Sequence, residues 1–90
     1  HYAASKAGLH GLTHHLATRV AHYGVTVNAI APALIEGTGL LPGDPGDLAQ
    51  RIPVGRLGRP EEVADLAIAM LANGYLTNQV VSLDGGMHPR

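Results

Sequence analysis

The stretch Gly24-Val25-Thr26-Val27-Asn28-Ala29-Ile30-Ala31-Pro32 decides the fold. Val25 to Ala31 is rich in apolar and β-branched residues and has no helical face, which predicts a buried strand of a parallel sheet. Pro32 is expected to end it. Upstream, Leu9, Leu12, Leu16 and Val20 recur at three- and four-residue steps, the spacing of one helix face. This predicts a helix from about Tyr2 to His22. Ala3, Ala4, Ala7, Gly8 and Gly11 leave the opposite side thin, suited to close approach by another backbone or a ligand, and Gly24 is the expected C-cap.

Downstream, residues 33–59 hold many Gly and Pro residues and read as a long irregular connection, which is usually functional or mobile. A short helix within Asp44 to Ile52 fits its middle. Pro60-Glu61-Glu62 opens a second long helix, because Pro suits the first turn and acids complement the positive end of the helix dipole. Val63, Leu66, Ala67, Met70 and Leu71 form its expected core face, and Asn73-Gly74 stops it. Gln79 to Leu83 reads as a second buried strand, followed by a turn at Asp84-Gly85-Gly86. The order helix, strand, loop, helix, strand gives an α/β chain. Its last three elements form a βαβ unit, with parallel neighbouring strands and a right-handed crossover.

Composition narrows the function. The chain has 90 residues, of which 46% are hydrophobic and 3% aromatic, so its core is aliphatic. A chain of this size buries roughly 60–65% of its unfolded surface. The net charge is −1, from six basic and seven acidic residues. That balance points to neither nucleic acid nor an anionic membrane surface as a partner. There is no Cys, hence no disulfide framework or thiolate nucleophile. No apolar run approaches the roughly 20 residues of a membrane span. A cytoplasmic protein is the expectation. Six histidines raise the question of a metal. His10 and His14 are four apart and His15 and His22 seven apart, but no third ligand accompanies them at zinc-site spacing. They read as a solvated or subunit-facing surface, sensitive to pH near about 6.5, and no metal site is expected.

Tyr2 and Lys6 stand four residues apart, which on a helix stacks them on one face. A neighbouring ammonium favours the phenolate, making the phenol usable as a proton donor and acceptor near neutrality. An isolated pair of this kind is more often a surface Lys beside a half-buried Tyr. The context is more specific. Tyr2-Ala3-Ala4-Ser5-Lys6, the Gly24 to Pro32 stretch, Ile52-Pro53-Val54-Gly55-Arg56-Leu57-Gly58-Arg59-Pro60-Glu61-Glu62-Val63-Ala64, Tyr75-Leu76-Thr77-Asn78-Gln79 and Asp84-Gly85-Gly86 follow in order. Together they resemble the short-chain dehydrogenase/reductase superfamily over nearly the whole chain.

The resemblance implies that residues 1–90 are the C-terminal part of a single NAD(P)-binding domain, a portion of a Rossmann-like doubly wound parallel sheet that begins at the catalytic Tyr. The implied activity is hydride transfer between NAD or NADP and a small-molecule carbonyl or secondary alcohol. Tyr2 would be the general acid and base. Lys6 would lower its pKa and hold the nicotinamide ribose. Pro32, Ala33, Ile35 and Thr38 match the segment that holds the nicotinamide carboxamide, with Ala33 in place of the family's Gly and Thr38 one place later than its Thr. Asn28, Arg56 and Asp84 are expected to be structural, and Asn78 stands at a usual Gly position.

The family's Gly-rich fingerprint and its further catalytic Ser and Asn belong upstream of the Tyr, so the chain alone is expected to be inactive. The Ile52 to Ala64 block looks most like 3-oxoacyl-thioester reductases, though sugar and secondary-alcohol dehydrogenases share it. The resemblance further implies a homodimer or homotetramer, with Leu9, Leu16, Leu66 and Met70 available for subunit or domain contacts. The alternative is a catalytically incomplete fragment that acts as an assembly module; a degenerate member kept for binding is a third reading.

Overall fold

In the computed structural model, residues 2–87 are described, Tyr2 by its backbone alone. The elements are helix α1 (Tyr2–Val20), a 3-10 turn (Ala21–Tyr23), strand β1 (Asn28–Pro32), helix α2 (Pro45–Ala49), helix α3 (Pro60–Ala72) and strand β2 (Gln79–Leu83). The two strands pair in parallel, with Asn28 opposite Gln79 and Pro32 opposite Leu83. Side chains alternate faces along a strand. Ala29, Ala31, Val80 and Ser82 therefore share the face towards α1, which packs on both strands. Ile30 and Asn28 lie on the other face, where they border a hollow shared with Ala67 and Met70 of α3. The result is a helix–sheet–helix sandwich.

The termini of these elements follow the chemistry of their residues. Gly24 takes the left-handed conformation (φ 77°) and donates to the Ala21 carbonyl at 3.0 Å, the C-cap geometry that glycine adopts at low cost. β1 starts three residues later and ends one later than the sequence pattern suggests. The start is set by the partner strand. The Val27 N–H donates to Thr77 Oγ1 and the Val27 carbonyl accepts from the Asn78 N–H. Asn78 then turns left-handed (φ 59°), so Val25 and Thr26 have no parallel neighbour. Asn is among the few non-Gly residues that tolerate this region. At the other end, the Ala33 N–H donates to Leu83 O. Amides alternate sides, so position 32 is one where β2 requires no donor and Pro is accommodated.

The packing face of α1 differs from the leucine stripe. Thr13 and Ala17 are buried, whereas Leu12 is 56% and Leu16 42% exposed. The buried line runs through Lys6, Leu9, Thr13, Ala17 and Val20, the same helical periodicity rotated by part of a turn. Alanines on the sheet face let the helix approach closely, and small helix residues fill that gap without overpacking. The Thr13 hydroxyl is satisfied by the Leu9 carbonyl at 2.7 Å. On α3, Met70 is buried, in keeping with its place on the expected core face, and so is not available for an outer contact. Leu71 and Ile68 are 83% and 65% exposed, so Leu71 is no part of the core.

Residues 33–59 are more ordered than their Gly and Pro content suggests. Asp44 caps α2 by accepting the Gly46 N–H at 3.0 Å, as short acidic side chains do. Leu48, Ile52 and Leu57 are buried together, with Leu34, Leu41 and Met87 against them. A parallel bridge joins Ile35 to Gly58, and the Val54 N–H donates to Gly85 O. The segment has its own small core.

Arg56 and Glu62 clamp this segment to α3. Two guanidinium nitrogens meet the two carboxylate oxygens, each at 2.7 Å, the fork geometry that distinguishes Arg from Lys. Glu62 Oε1 also accepts the Arg59 N–H at the helix start, the reciprocal half of a capping box. The Arg56 hydrogen bonds and the Arg59 N–H hold the Glu62 carboxyl well below its ordinary value, at about 2.

Two predictions follow from this packing. A depressed carboxyl contributes stability above its ordinary value of 4.5, and that contribution is lost as the pH falls through about 2. Thermal midpoints of the parent and Glu62→Gln are therefore expected to differ at neutral pH and to converge through this acid window. Separately, a Cβ on Gly85 (φ 62°) would lie 2.7 Å from buried Ile52 Cγ2. Gly85→Ala is expected to cost about 2 kcal/mol or more by chemical denaturation, from left-handed strain plus overpacking.

Candidate active site

Lys6 lies on the first turns of α1, on the line that faces the sheet, and is half-buried. Its ammonium donates a hydrogen bond to Ser82 Oγ in β2. Ser82 is paired with Ala31, so Lys6 reaches the sheet one register step before Pro32 and Leu83, at the carboxyl ends of both strands. Open α/β sheets bind ligands beyond that edge. The Tyr2 backbone lies on the same helix, one turn earlier; its side chain is outside the described residues. Ser82 is the partner that the sequence reading missed. Its one signal was a lone hydroxyl within the apolar run Val80-Val81-Ser82-Leu83.

The segment after β1 is shaped by the bridge to Gly58. The Gly58 N–H donates to Leu34 O at 3.0 Å, and the Glu36 N–H donates to Gly58 O at 2.9 Å. Residues on either side of Ile35 make these bonds, so the Ile35 N–H and carbonyl point away from Gly58. The Ile35 carbonyl accepts from Thr38 Oγ1 at 3.3 Å, and that hydroxyl in turn accepts the Leu40 N–H at 3.2 Å. Thr38 thus braces the turn that presents the Ile35 peptide. The Ala33 N–H is spent on Leu83, so any ligand contact of Ala33 is through its carbonyl or methyl. Pro32 is exposed at the strand end. The structure places Lys6, Pro32 and Ala33 at one edge of the sheet and sets Ile35 and Thr38 on the loop that leaves it.

Behind this loop lies a cavity of about 220 Å³ bordered by Ile35, Ile52, Gly58, Leu83, Arg56 and Asp84. Asp84 Oδ1 accepts the Gly86 N–H at 2.9 Å, whereas Oδ2 is buried with no hydrogen-bond partner among the described residues. The Asp84 turn and the Arg56 clamp fit the structural roles expected of them. Asn28 does as well: its amide donates to Leu76 O at 2.9 Å and its carbonyl oxygen accepts the Gln79 N–H at 3.2 Å.

His10 Nδ1 meets the Lys6 carbonyl at 2.9 Å, and His14 Nδ1 meets the Asn78 amide at 2.8 Å. Among the described residues, no three His, Asp or Glu side chains converge as metal ligands would. Nor is any helix long and apolar enough to cross a membrane.

Lys6 presents a half-buried ammonium at the carboxyl edge of the sheet, and the Ile35 N–H points away from Gly58 on the loop that leaves that edge; both are donors that could hold a ribose and a carboxamide. A pyrophosphate would require a glycine-rich turn at a helix N-terminus, and neither α2 nor α3 begins with one.

Comparisons with known proteins agree with this arrangement. The family described as enoyl-(acyl carrier protein) reductase matches residues 1–88. The chain is 45% identical over 87 residues to carbonyl reductase family member 4 of Danio rerio, covering 96% of this chain and 36% of the relative. It is 46% identical over 94 residues to the 3-oxoacyl-[acyl-carrier-protein] reductase FabG of Escherichia coli, covering 97% and 38%. The chain thus spans between a third and two-fifths of the length of these relatives. A crystal structure of a short-chain dehydrogenase from Bacillus anthracis superposes with a TM-score of 0.83 at 41% identity, covering 98% of this chain and 36% of the other. With the α/β fold, the parallel register and the ordered motifs in agreement, the chain belongs to the short-chain dehydrogenase/reductase family.

Proposed function

We propose that this chain is the C-terminal part of a single NAD(P)-binding domain, in a protein that transfers hydride between NAD(P)(H) and a carbonyl or secondary alcohol. The observation that carries this reading is the placement of Lys6, half-buried, one helical turn from Tyr2 and anchored at the carboxyl edge of the sheet. The similarity to 3-oxoacyl-[acyl-carrier-protein] and carbonyl reductases supports the reaction class and favours a 3-oxoacyl thioester as substrate.

When bound, the dinucleotide supplies the hydride that reaches the carbonyl carbon. The residues of this chain manage the proton and the geometry. Tyr2 donates its phenolic proton to the carbonyl oxygen as the carbon is reduced, and takes it back in the reverse direction. Lys6 stabilises the phenolate left behind through its charge and hydrogen-bonds the nicotinamide ribose. Pro32 and Ala33 wall the nicotinamide, the Ile35 peptide hydrogen-bonds its carboxamide, and Thr38 holds that peptide in place. The fingerprint that binds the rest of the dinucleotide lies outside this segment, so residues 1–90 by themselves are inactive.

A second reading is favoured by one observation. Leu12 and Leu16 of α1, and Ile68 and Leu71 of α3, are large apolar side chains exposed on the helix surfaces. Such faces suit burial against another part of the protein or a second copy, as in a homodimer or homotetramer. In this reading the segment is an assembly module.

Tyr2→Phe in the full-length protein separates the two. The expected outcome is a loss of turnover of about 100-fold to 10,000-fold, with NADH or NADPH binding, followed by nicotinamide fluorescence, nearly unchanged. Turnover that survives the substitution rules out Tyr2 as the acid–base group.

A further inference from the structure

We propose that Ser82 is a positioning residue: its hydroxyl holds the Lys6 ammonium at the carboxyl edge of the sheet and so sets the reach of Lys6 towards the ribose and Tyr2. This rests on the role given to Lys6 above.

The argument begins with the side chain. Lys is a flexible four-carbon stem ending in three donors and no acceptor. A half-buried ammonium needs acceptors, because burial without them is costly. The sheet face beneath α1 presents Ala29, Ala31, Val80 and Ser82. Three of these have no polar side-chain atom, and strand carbonyls lie in the plane of the sheet and not on its face. Among these four residues Ser82 Oγ is the one side-chain acceptor, and Lys6 reaches it. Opposite Ser82 stands Ala31, whose methyl leaves room for the lysine stem to cross the strand pair.

Position matters as well as chemistry. Ser82 lies on the penultimate residue of β2, so it holds the ammonium just inside the edge where the reacting groups meet. A hydroxyl that accepts from Lys6 still has a proton to donate. It anchors the ammonium without neutralising it, as a carboxylate at this position would. A serine in the run Val80-Val81-Ser82-Leu83 also forgoes the burial that Val or Leu would contribute there. The Lys6 contact gives that polar choice a purpose.

The test uses the full-length protein with Ser82→Ala, Ser82→Thr and Lys6→Met. Binding of NADH and NADPH is read by nicotinamide fluorescence, and turnover is read with acetoacetyl-coenzyme A as the 3-oxoacyl probe. Ser82→Ala is expected to weaken cofactor binding and lower kcat together by about tenfold or more, the usual consequence of removing a hydrogen bond to a charged group, with an unchanged thermal midpoint. Ser82→Thr, which keeps the hydroxyl and suits a strand, is expected to restore both to within about twofold, a residual set by its extra methyl. If the Ala variant does not fold, Ser82→Cys, similar in shape but a weak acceptor, carries the same expectation.

Parental binding and turnover in Ser82→Ala, while Lys6→Met abolishes turnover, would overturn the inference and leave the role of Lys6 intact. A loss in Ser82→Ala that Ser82→Thr does not repair would also overturn it, since packing and not the hydroxyl would then be responsible. Unaltered turnover in Lys6→Met would instead remove the reading on which the inference stands.

Discussion

The two hydrogen bonds of the Asn28 carboxamide hold the register on which the structure depends. The side chain bonds to Leu76 O on one side and the Gln79 N–H on the other, and so fixes where β2 begins relative to β1. Register matters because side chains alternate with period two: a slip of one residue exchanges the faces of the strand. Slipping β2 would turn Val80 and Ser82 away from α1 and bring Gln79 and Val81 beneath it. Lys6 would lose its acceptor and the helix would meet a polar, bulkier surface. One amide at the start of a strand thus governs a contact at its far end.

The sandwich built on that register is asymmetric. Towards α1 the strands offer mainly small residues, and the helix answers with Thr13 and Ala17. Towards α3 the packing is looser, and Thr26, Ile30 and Met70 border a hollow of about 420 Å³. Close packing on one side fixes the helix that carries Tyr2 and Lys6 to within the tolerance of a methyl group. Openness on the other matches the exposed apolar residues of α3. The side that holds Lys6 is the closely packed one.

Much of this was legible in the residues. Gly24 and Pro60 marked helix ends through their backbone chemistry, Val80 and its neighbours marked β2, and Asn78, at a usual Gly position, takes the left-handed conformation that glycine would (φ 59°). The misreadings have a common cause. Leu12 and Leu16 satisfied helical periodicity, yet periodicity gives the existence of a face and not what it faces; the alanines of the sheet selected the neighbouring stripe. Val25 and Thr26 have strand propensity, but a strand requires a partner, and the Thr77-Asn78 turn withdraws it. The order within residues 33–59 was hidden because Leu48, Ile52 and Leu57 are spaced by no single period. At the site, Lys6 was found through its spacing from Tyr2. Ser82, 76 positions away in sequence, was brought to it by the fold alone.

The small core of residues 33–59 separates the outer end of that segment from the sheet. Leu48, Ile52 and Leu57 bury one another, and the Arg56–Glu62 fork and the Gly58 bridge tie that cluster to the sandwich at its root. The outward tip, where Leu40 is 86% exposed, is decoupled from the strand register. Substitutions at the tip are thus expected to leave the strand pair and the Lys6–Ser82 contact as they are. The segment is a cassette on a chassis, its tip and the strand register held by separate sets of contacts within one short chain.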